Sequence, residues 1–278
     1  LILLLEKDMG KNWIQDKVVV ITGGASGIGA ALAYKFGKEG ARIALLDTDA
    51  AALKEQERKL TQEGVPAIAQ KCDISSEPEC SAAIAAIIQH YGGIDLLFNN
   101  AGITHRGPFL EANISTIRRV MDVNFFGALH CTKAALESLL SRKGMIVITS
   151  SIAGLAPLLG RTAYCASKHA LQGLFSTLRA ELKETGVHVM IVCPGFTRTN
   201  LQTKALNGKG QFTPHPRTMI GREASPSEVA EAIFRGAKKR KSLLVLTPAG
   251  KLSYYLFRMV PQLYEWWMAR KLREEIQR

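Results

Sequence analysis

The sequence predicts a doubly wound α/β fold: a single domain on a seven-stranded parallel sheet, followed by a C-terminal helical extension. Three observations lead there. Seven short, β-branched apolar runs recur along the chain, with helix-length segments between them. The runs are continuously apolar rather than alternating, as strands covered on both faces must be. A glycine-rich turn joins the first run to the first helical segment. Right-handed crossovers then place ligand sites at the carboxyl ends of the strands.

In chain order, the strands are expected at "KVVVIT" (17–22), "RIALLD" (42–47), "AIAQKC" (67–72), "IDLLFN" (94–99), "MIVITS" (145–150), "HVMIVC" (188–193) and "LLVLT" (243–247). Helices are expected near 27–39, 49–63, 77–90, 113–141, 162–185 and 226–239. Residues 198–225 are polar, carry Gly and Pro, and are too long for an ordinary connection; they read as a substrate lid. The catalytic domain so defined is 1–247, and the extension 248–278.

Within the extension, Leu252, Tyr255, Leu256, Phe257, Met259 and Val260 fall largely on one helical arc, opposite Lys251, Tyr254 and Arg258. Pro261 should interrupt that helix. Beyond it, Tyr264, Trp267, Met268 and Leu272 form a less clean stripe. Amphipathic helices with paired tryptophans and a basic face suit a membrane surface through 251–273, and equally suit packing over the pocket or a subunit.

Composition narrows the functional classes. The 278 residues are 47% hydrophobic, enough for a large core and too apolar for disorder. Of the net charge of +12, residues 235–278 carry +8, from eleven Lys/Arg against three Glu, which leaves +4 for residues 1–234. The basicity belongs to the tail, and without a nucleic-acid-binding motif it does not argue for nucleic acid. Five cysteines (72, 80, 131, 165 and 193), odd in number and without a C-x-x-C pair, favour reduced thiols and a cytoplasmic setting. No histidine stands at metal-ligand spacing, so no metal is expected. The opening "LILLL" is shorter than the ~20 residues of a spanning helix and reads as a trimmed anchor or a hydrophobic tip.

The chemistry lies at the turns. In "TGGASGIG" (22–29), Gly23, Gly27 and Gly29 let backbone approach a phosphate at a helix N-terminus. The spacing is not G-x-G-x-x-G, but the strand–turn–helix context points to a dinucleotide. Asp47 ends the second strand, where a carboxylate can accept from an adenine-ribose diol; it could instead cap the next helix, although Asp49 is the better cap. A carboxylate there repels a 2′-phosphate, and neither Ser26 nor Thr48 adds positive charge, so NAD is expected over NADP. Two Tyr–Lys pairs share the i,i+4 spacing that puts a phenol beside an ammonium: Tyr34/Lys38 and Tyr164/Lys168.

"TGGASGIG", "NNAG" (99–102), Asn124 in "DVNFFG", the serines 150–151, "YCASK" (164–168) and "PGFTRT" (194–199) together resemble the classical short-chain dehydrogenase/reductase family, over about 16–247. The resemblance implies a Rossmann-type fold, a nicotinamide cofactor and homo-oligomers, dimeric or tetrameric. It implies Tyr164 as general acid/base, Lys168 lowering its pKa and holding the nicotinamide ribose, Ser151 polarising the substrate carbonyl, and Asn124 positioning a relay water. Cofactor contacts are implied at Gly23, Ser26, Gly27, Ile28, Gly29, Asp47, Asp73 and Ile74. Further contacts are implied at Asn99, Asn100, Ala101, Gly102, Pro194, Gly195, Thr197 and Thr199. Ser151 lies thirteen residues before Tyr164; Ile21 stands thirteen before Tyr34, so Tyr34/Lys38 is expected to be a decoy, with Tyr34 packed and Lys38 solvated. His105 and Arg106 are expected on a solvated loop, and His169 on another helix face. The extended tail resembles members acting on steroids, retinoids or long-chain lipids, which implies an apolar alcohol or ketone as substrate. A carrier-protein reductase of the 3-oxoacyl type and a non-catalytic dinucleotide sensor are the alternatives.

Overall fold

The computed structural model describes residues 10, 12–201, 203–213, 218, 222–273 and 275; the N-terminal "LILLL" lies outside them. The seven strands are β1 (Val18–Thr22), β2 (Arg42–Asp47), β3 (Ala67–Lys71), β4 (Leu96–Asn99), β5 (Met145–Thr149), β6 (His188–Cys193) and β7 (Leu243–Val245). They form one sheet in the order β3-β2-β1-β4-β5-β6-β7, every neighbouring pair parallel. The sequence places all seven, with β4 starting two residues late and β7 ending two early.

Period-two alternation divides each strand between two cores. Val19 and Ile21 of β1 face one side, with Ile43, Leu45, Phe98, Val147 and Val192. That side is covered by α1 (Gly27–Lys38), α2 (Ala50–Gln62) and α7 (Pro226–Lys238), through Phe36, Leu53, Ile233 and Phe234. Val18 and Val20 face the other, with Leu97, Ile146 and Ile191. There α3 (Glu77–Tyr91), α5 (Gly127–Ser141) and α6 (Thr162–Glu181) pack through Ile84, Ile87, Cys131, Leu139, Leu171 and Phe175. The chain steps outward from β1 to β3, then returns to lay β4 on the opposite side of β1. Between the carboxyl ends of β1 and β4 the strand order reverses, and a crevice opens.

One expected helix is not regular. The segment 113–141 is α4 (Ile114–Met121), a π-helical turn (Asp122–Phe126) and α5. Such turns relax the backbone where a side chain needs another aim, and Asn124 sits inside this one.

The extension forms α8 (Pro248–Met259) and α9 (Pro261–Lys271), broken at Val260. Pro261 becomes the first residue of α9, where its missing N–H costs nothing. The less clean stripe is the one that packs: Tyr264, Met268 and Leu272 are buried with Ala156, and Trp267 lies against them. Tyr264 donates a 3.0 Å hydrogen bond to the Pro157 carbonyl. The cleaner arc of α8 is split, since Leu256 and Phe257 join this cluster while Leu252, Tyr255 and Met259 remain exposed. Hydrophobic periodicity finds an apolar arc but not the width of the surface available to cover it. Among the described residues, no helix is long and apolar enough to cross a membrane.

Candidate active site

The glycine turn is shaped by contacts that side chains would block. Gly23 has φ +66°, and a Cβ there would stand 2.9 Å from Ala101 Cα, so the turns after β1 and β4 touch backbone to backbone. A Cβ on Gly29 would overlap the Gly23 carbonyl, so α1 is seated directly on the turn. Gly29 therefore packs the cradle rather than facing the cavity, whereas Gly23, Ser26, Gly27 and Ile28 line it. This cradle fits a dinucleotide pyrophosphate: open backbone at a helix N-terminus with no side chain in the way.

Asp47 closes one side. Its carboxylate accepts from the Ala25 and Asp49 amides, both at 3.2 Å, which fixes it beside the glycine turn. Asp49, not Asp47, caps α2 by accepting from Ala52 N at 3.0 Å. Asp73 and Ile74 line the cavity beyond it, the Asp73 carboxylate held by the Ser75 amide and hydroxyl.

Thr22 joins the strands at the crevice. Its hydroxyl accepts from the amides of Asn100 (2.9 Å) and Ala101 (3.0 Å) and donates to the Phe98 carbonyl. The Asn100 side-chain Nδ2 donates to Thr22 O, so "NNAG" is tied to β1 as well as lining the cavity through Asn100, Ala101 and Gly102. Asn99 is a correction: its side chain turns into the core and donates to Thr132 Oγ1 at 2.8 Å. Alternation along β4 sends the two asparagines to opposite sides.

The serines after β5 also part. Ser150 is buried and donates to the Lys168 carbonyl while accepting from Gln172, so it anchors α6. Ser151 faces the cavity with Tyr164 and accepts from Ala153 N at 3.1 Å. One turn along α6, the Lys168 ammonium donates 2.8 Å to the Thr149 carbonyl. Lys168 is 3% exposed, and burial pulls its pKa down to about 8.

Burial pushes the Tyr164 phenol up; the Ser151 hydrogen bond and the Arg161 guanidinium pull the other way. The Lys168 ammonium is turned to Thr149 and stands 5.6 Å from the centre of the Tyr164 ring. Arg161 is the residue the sequence reading missed. It precedes α6 directly, is 7% exposed and lines the cavity.

Asn124 lies behind this group rather than on the cavity wall. Its Oδ1 accepts from Ile103 N (2.8 Å), and its amide donates to Ile103 O and Ser167 Oγ, both at 2.9 Å. The π-helical turn thus braces the loop after β4 against α6. A Cβ on Gly102 would stand 3.1 Å from Asn124 Oδ1 and 3.6 Å from Lys168 Nζ, so Gly102 keeps that approach open.

Other expectations are corrected by burial. His105 (0% exposed) and Arg106 (6%) sit in a packed strand-like contact with Leu206, not on a solvated loop. His105 is held neutral by burial and by the Arg161 charge. Tyr34 is 48% exposed rather than packed, and Lys38 pairs with Glu63 at 2.6 Å. His169 faces away and bonds the Cys165 carbonyl.

The cavity, about 830 Å³, runs from Asp47 and Asp73 past Tyr164 to a second end walled by the extension. Pro194, Gly195, Thr197 and Thr199 line its middle, and Lys204, Thr218 and Arg222 come from the segment 198–225. Leu158, Leu159, Tyr264, Trp267, Met268 and Leu272 make the far end apolar.

Residues 17–210 match the short chain dehydrogenase family. "Dehydrogenase/reductase SDR family member 7B" of Mus musculus is 35% identical over 98% of this chain and 86% of its own. The Danio rerio protein of the same name is 36% identical over 94% and 87%. Among solved structures, a short chain dehydrogenase/reductase from Burkholderia phymatum in complex with NAD superposes with TM-score 0.81 at 26% identity, covering 92% of this chain and 96% of that one. An alcohol dehydrogenase from Thermococcus sibiricus complexed with 5-hydroxy-NADP gives TM-score 0.72 at 25% identity, over 84% and 96%. Fold, cradle, tyrosine–lysine helix and relatives agree: the chain belongs to the short-chain dehydrogenase/reductase family of nicotinamide-dependent oxidoreductases.

Proposed function

We propose that the protein is an NAD-dependent oxidoreductase that interconverts a hydroxyl and a carbonyl on an apolar substrate of the steroid, retinoid or long-chain lipid kind. The observation that carries this reading is the single cavity in which Ser151, Tyr164 and Lys168 stand between the glycine cradle and an apolar wall. When bound, the nicotinamide supplies or takes the hydride. Tyr164 exchanges the proton at the substrate oxygen, and Ser151 hydrogen-bonds that oxygen as its charge changes. Lys168 supplies positive charge beneath the phenol, and Asn124 keeps the loop after β4 and α6 in register.

Preference for NAD rests on Asp47, whose fixed carboxylate accepts from a diol and repels a phosphate. None of the basic residues lining the cavity (Arg119, Arg161, Lys168, Lys204 and Arg222) comes from the turns after β1 or β2. The apolar substrate rests on the wall of Tyr264, Trp267, Met268 and Leu272. A cytoplasmic protein peripheral on a membrane is supported by the exposed Leu252, Tyr255, Met259 and Trp266, interleaved with Lys251, Arg258 and Arg270.

The test follows NADH absorbance with NAD and alcohols graded from short polar to steroid and long-chain. Turnover rising with apolarity and lost in Tyr164→Phe supports the reading. Preference for NADPH and a carrier-protein thioester would overturn it in favour of a carrier-protein reductase. Tight NADH binding with no turnover across the panel would favour a dinucleotide sensor.

A further inference from the structure

The end of the described chain returns to the start of the catalytic helix. Glu275 Oε2 lies 3.5 Å from the Arg161 guanidinium, and these side chains are 4% and 9% exposed. The other oxygen of Glu275 accepts from the Thr218 amide, so one carboxylate holds two parts of the cavity wall. Gly160, at φ +68°, packs against the Glu275 backbone, where a Cβ would meet its carbonyl at 3.1 Å. The Gly160 carbonyl also accepts from Gly107 N at 3.0 Å, which brings in the loop after β4. Arg161 is thereby held by Glu275, and its neighbour Gly160 by the Glu275 backbone and the loop after β4, three residues before Tyr164.

We propose that Arg161 is a positioning residue for Tyr164, and that Glu275 makes its placement depend on the C-terminal segment being docked on the cavity. A buried arginine needs a partner, and a buried pair broken on one side leaves an uncompensated charge. A guanidinium is a permanent charge, and Arg161 places one on the cavity wall three residues before the phenol. Lys168, by contrast, titrates within the working range and is turned to Thr149.

Electrostatics supports this division of labour. The groups acting on Tyr164 are Ser151 from the turn after β5, Arg161 and Cys165 around α6, and Cys193 from β6, with Lys168 alongside. Of these, Arg161 and Lys168 carry the positive charge that favours the phenolate, Arg161 from the start of α6 and Lys168 from one turn beyond Tyr164. Arg161 itself faces Glu275 and His105, and His105 adds no competing charge while it is neutral.

The inference rests on the reading of Tyr164 as the proton-transfer group, and its test is independent of turnover. Phenolate absorbance is followed against pH in the full chain, and the Tyr164 transition is isolated by subtracting Tyr164→Phe. In Arg161→Gln the transition should move to higher pH, and Arg161→Lys should bring it back. Because Arg161→Gln leaves Glu275 unpaired, Arg161→Gln/Glu275→Gln is measured beside it, and should show the same upward move. An unmoved transition in the double variant, or one that stays high in Arg161→Lys, overturns the assignment. In Glu275→Gln, amide hydrogen exchange should quicken in 203–213 and 261–272; unchanged exchange overturns the tether. If instead Tyr164→Phe retains turnover, the proposed function fails while the titration still reads Arg161.

Discussion

Lys168 Nζ lies 5.6 Å from the centre of the Tyr164 ring and 2.8 Å from the Thr149 carbonyl. Lys38 Nζ lies 5.7 Å from the Tyr34 ring, the same separation made by the same i,i+4 spacing. Their surroundings differ. Lys38 stands at the surface, where Glu63 holds its pKa up. Lys168 is enclosed, and desolvation lowers its pKa to about 8.

That depression is a stability statement. The folded amine titrates near 8 and the unfolded one near 10.5, so the folded state binds its proton more weakly. The penalty is full below about pH 8 and fades as pH rises toward 10.5. Stability should therefore climb through that window. Lys168→Met should abolish the climb and raise stability at pH 7 by about 1–3 kcal/mol, while destroying turnover. Thermal denaturation as a function of pH reads both effects.

The two tyrosines make a matched pair for kinetics. Tyr164→Phe should lower kcat by about 10²–10⁴-fold, the usual weight of a positioned acid/base group, with NADH affinity kept. Tyr34→Phe should leave kcat and KM as they are. Steady-state rates on the most active alcohol of the panel, with NADH fluorescence titration, decide it.

Asp47→Ser should relax cofactor choice. Removing the carboxylate ends the repulsion of a 2′-phosphate and loses a diol acceptor, so the ratio of NADPH to NADH affinity should rise at least ~10-fold, about 1.4 kcal/mol. The Ala25 amide loses a partner too, so both affinities are measured rather than one. A ratio that does not change would remove Asp47 from cofactor selection.

Trp267→Ala should separate long substrates from short ones. The indole lines the cavity and packs with Tyr264, Met268 and Leu272. KM for long apolar alcohols should rise by about 10-fold or more, as expected from a few buried methylenes of lost contact, while short alcohols keep their kcat and KM. A uniform loss of kcat would mean that the wall supports catalysis rather than binding.

The sheet was readable from the sequence because its central strands are short, local, continuously apolar runs such as "VVVIT" or "MIVIT", buried from end to end. The cofactor side was readable for a related reason: its residues fall at the ends of those strands, and the turn chemistry is local. What escaped was set by contacts distant in sequence. Asn99 and Asn100 look alike in "NNAG" until Thr132, 33 residues on, claims the first. The buried place of His105 depends on Leu206, and Arg161 acquires its meaning only from Glu275, 114 residues away. The extension was visible as amphipathic, but which arc would be covered depended on the shape of the surface around Ala156–Leu159.

The far wall of the cavity is made by Tyr264, Trp267, Met268 and Leu272, whereas the cradle and the acid/base group lie between Gly23 and Thr199. Synthesis proceeds from the N-terminus, so the nucleotide half emerges from the ribosome at least 60 residues before that wall, several seconds at ~5–20 residues per second. During that interval Ala156, Leu158 and Leu159 are without the apolar partners that α9 later supplies.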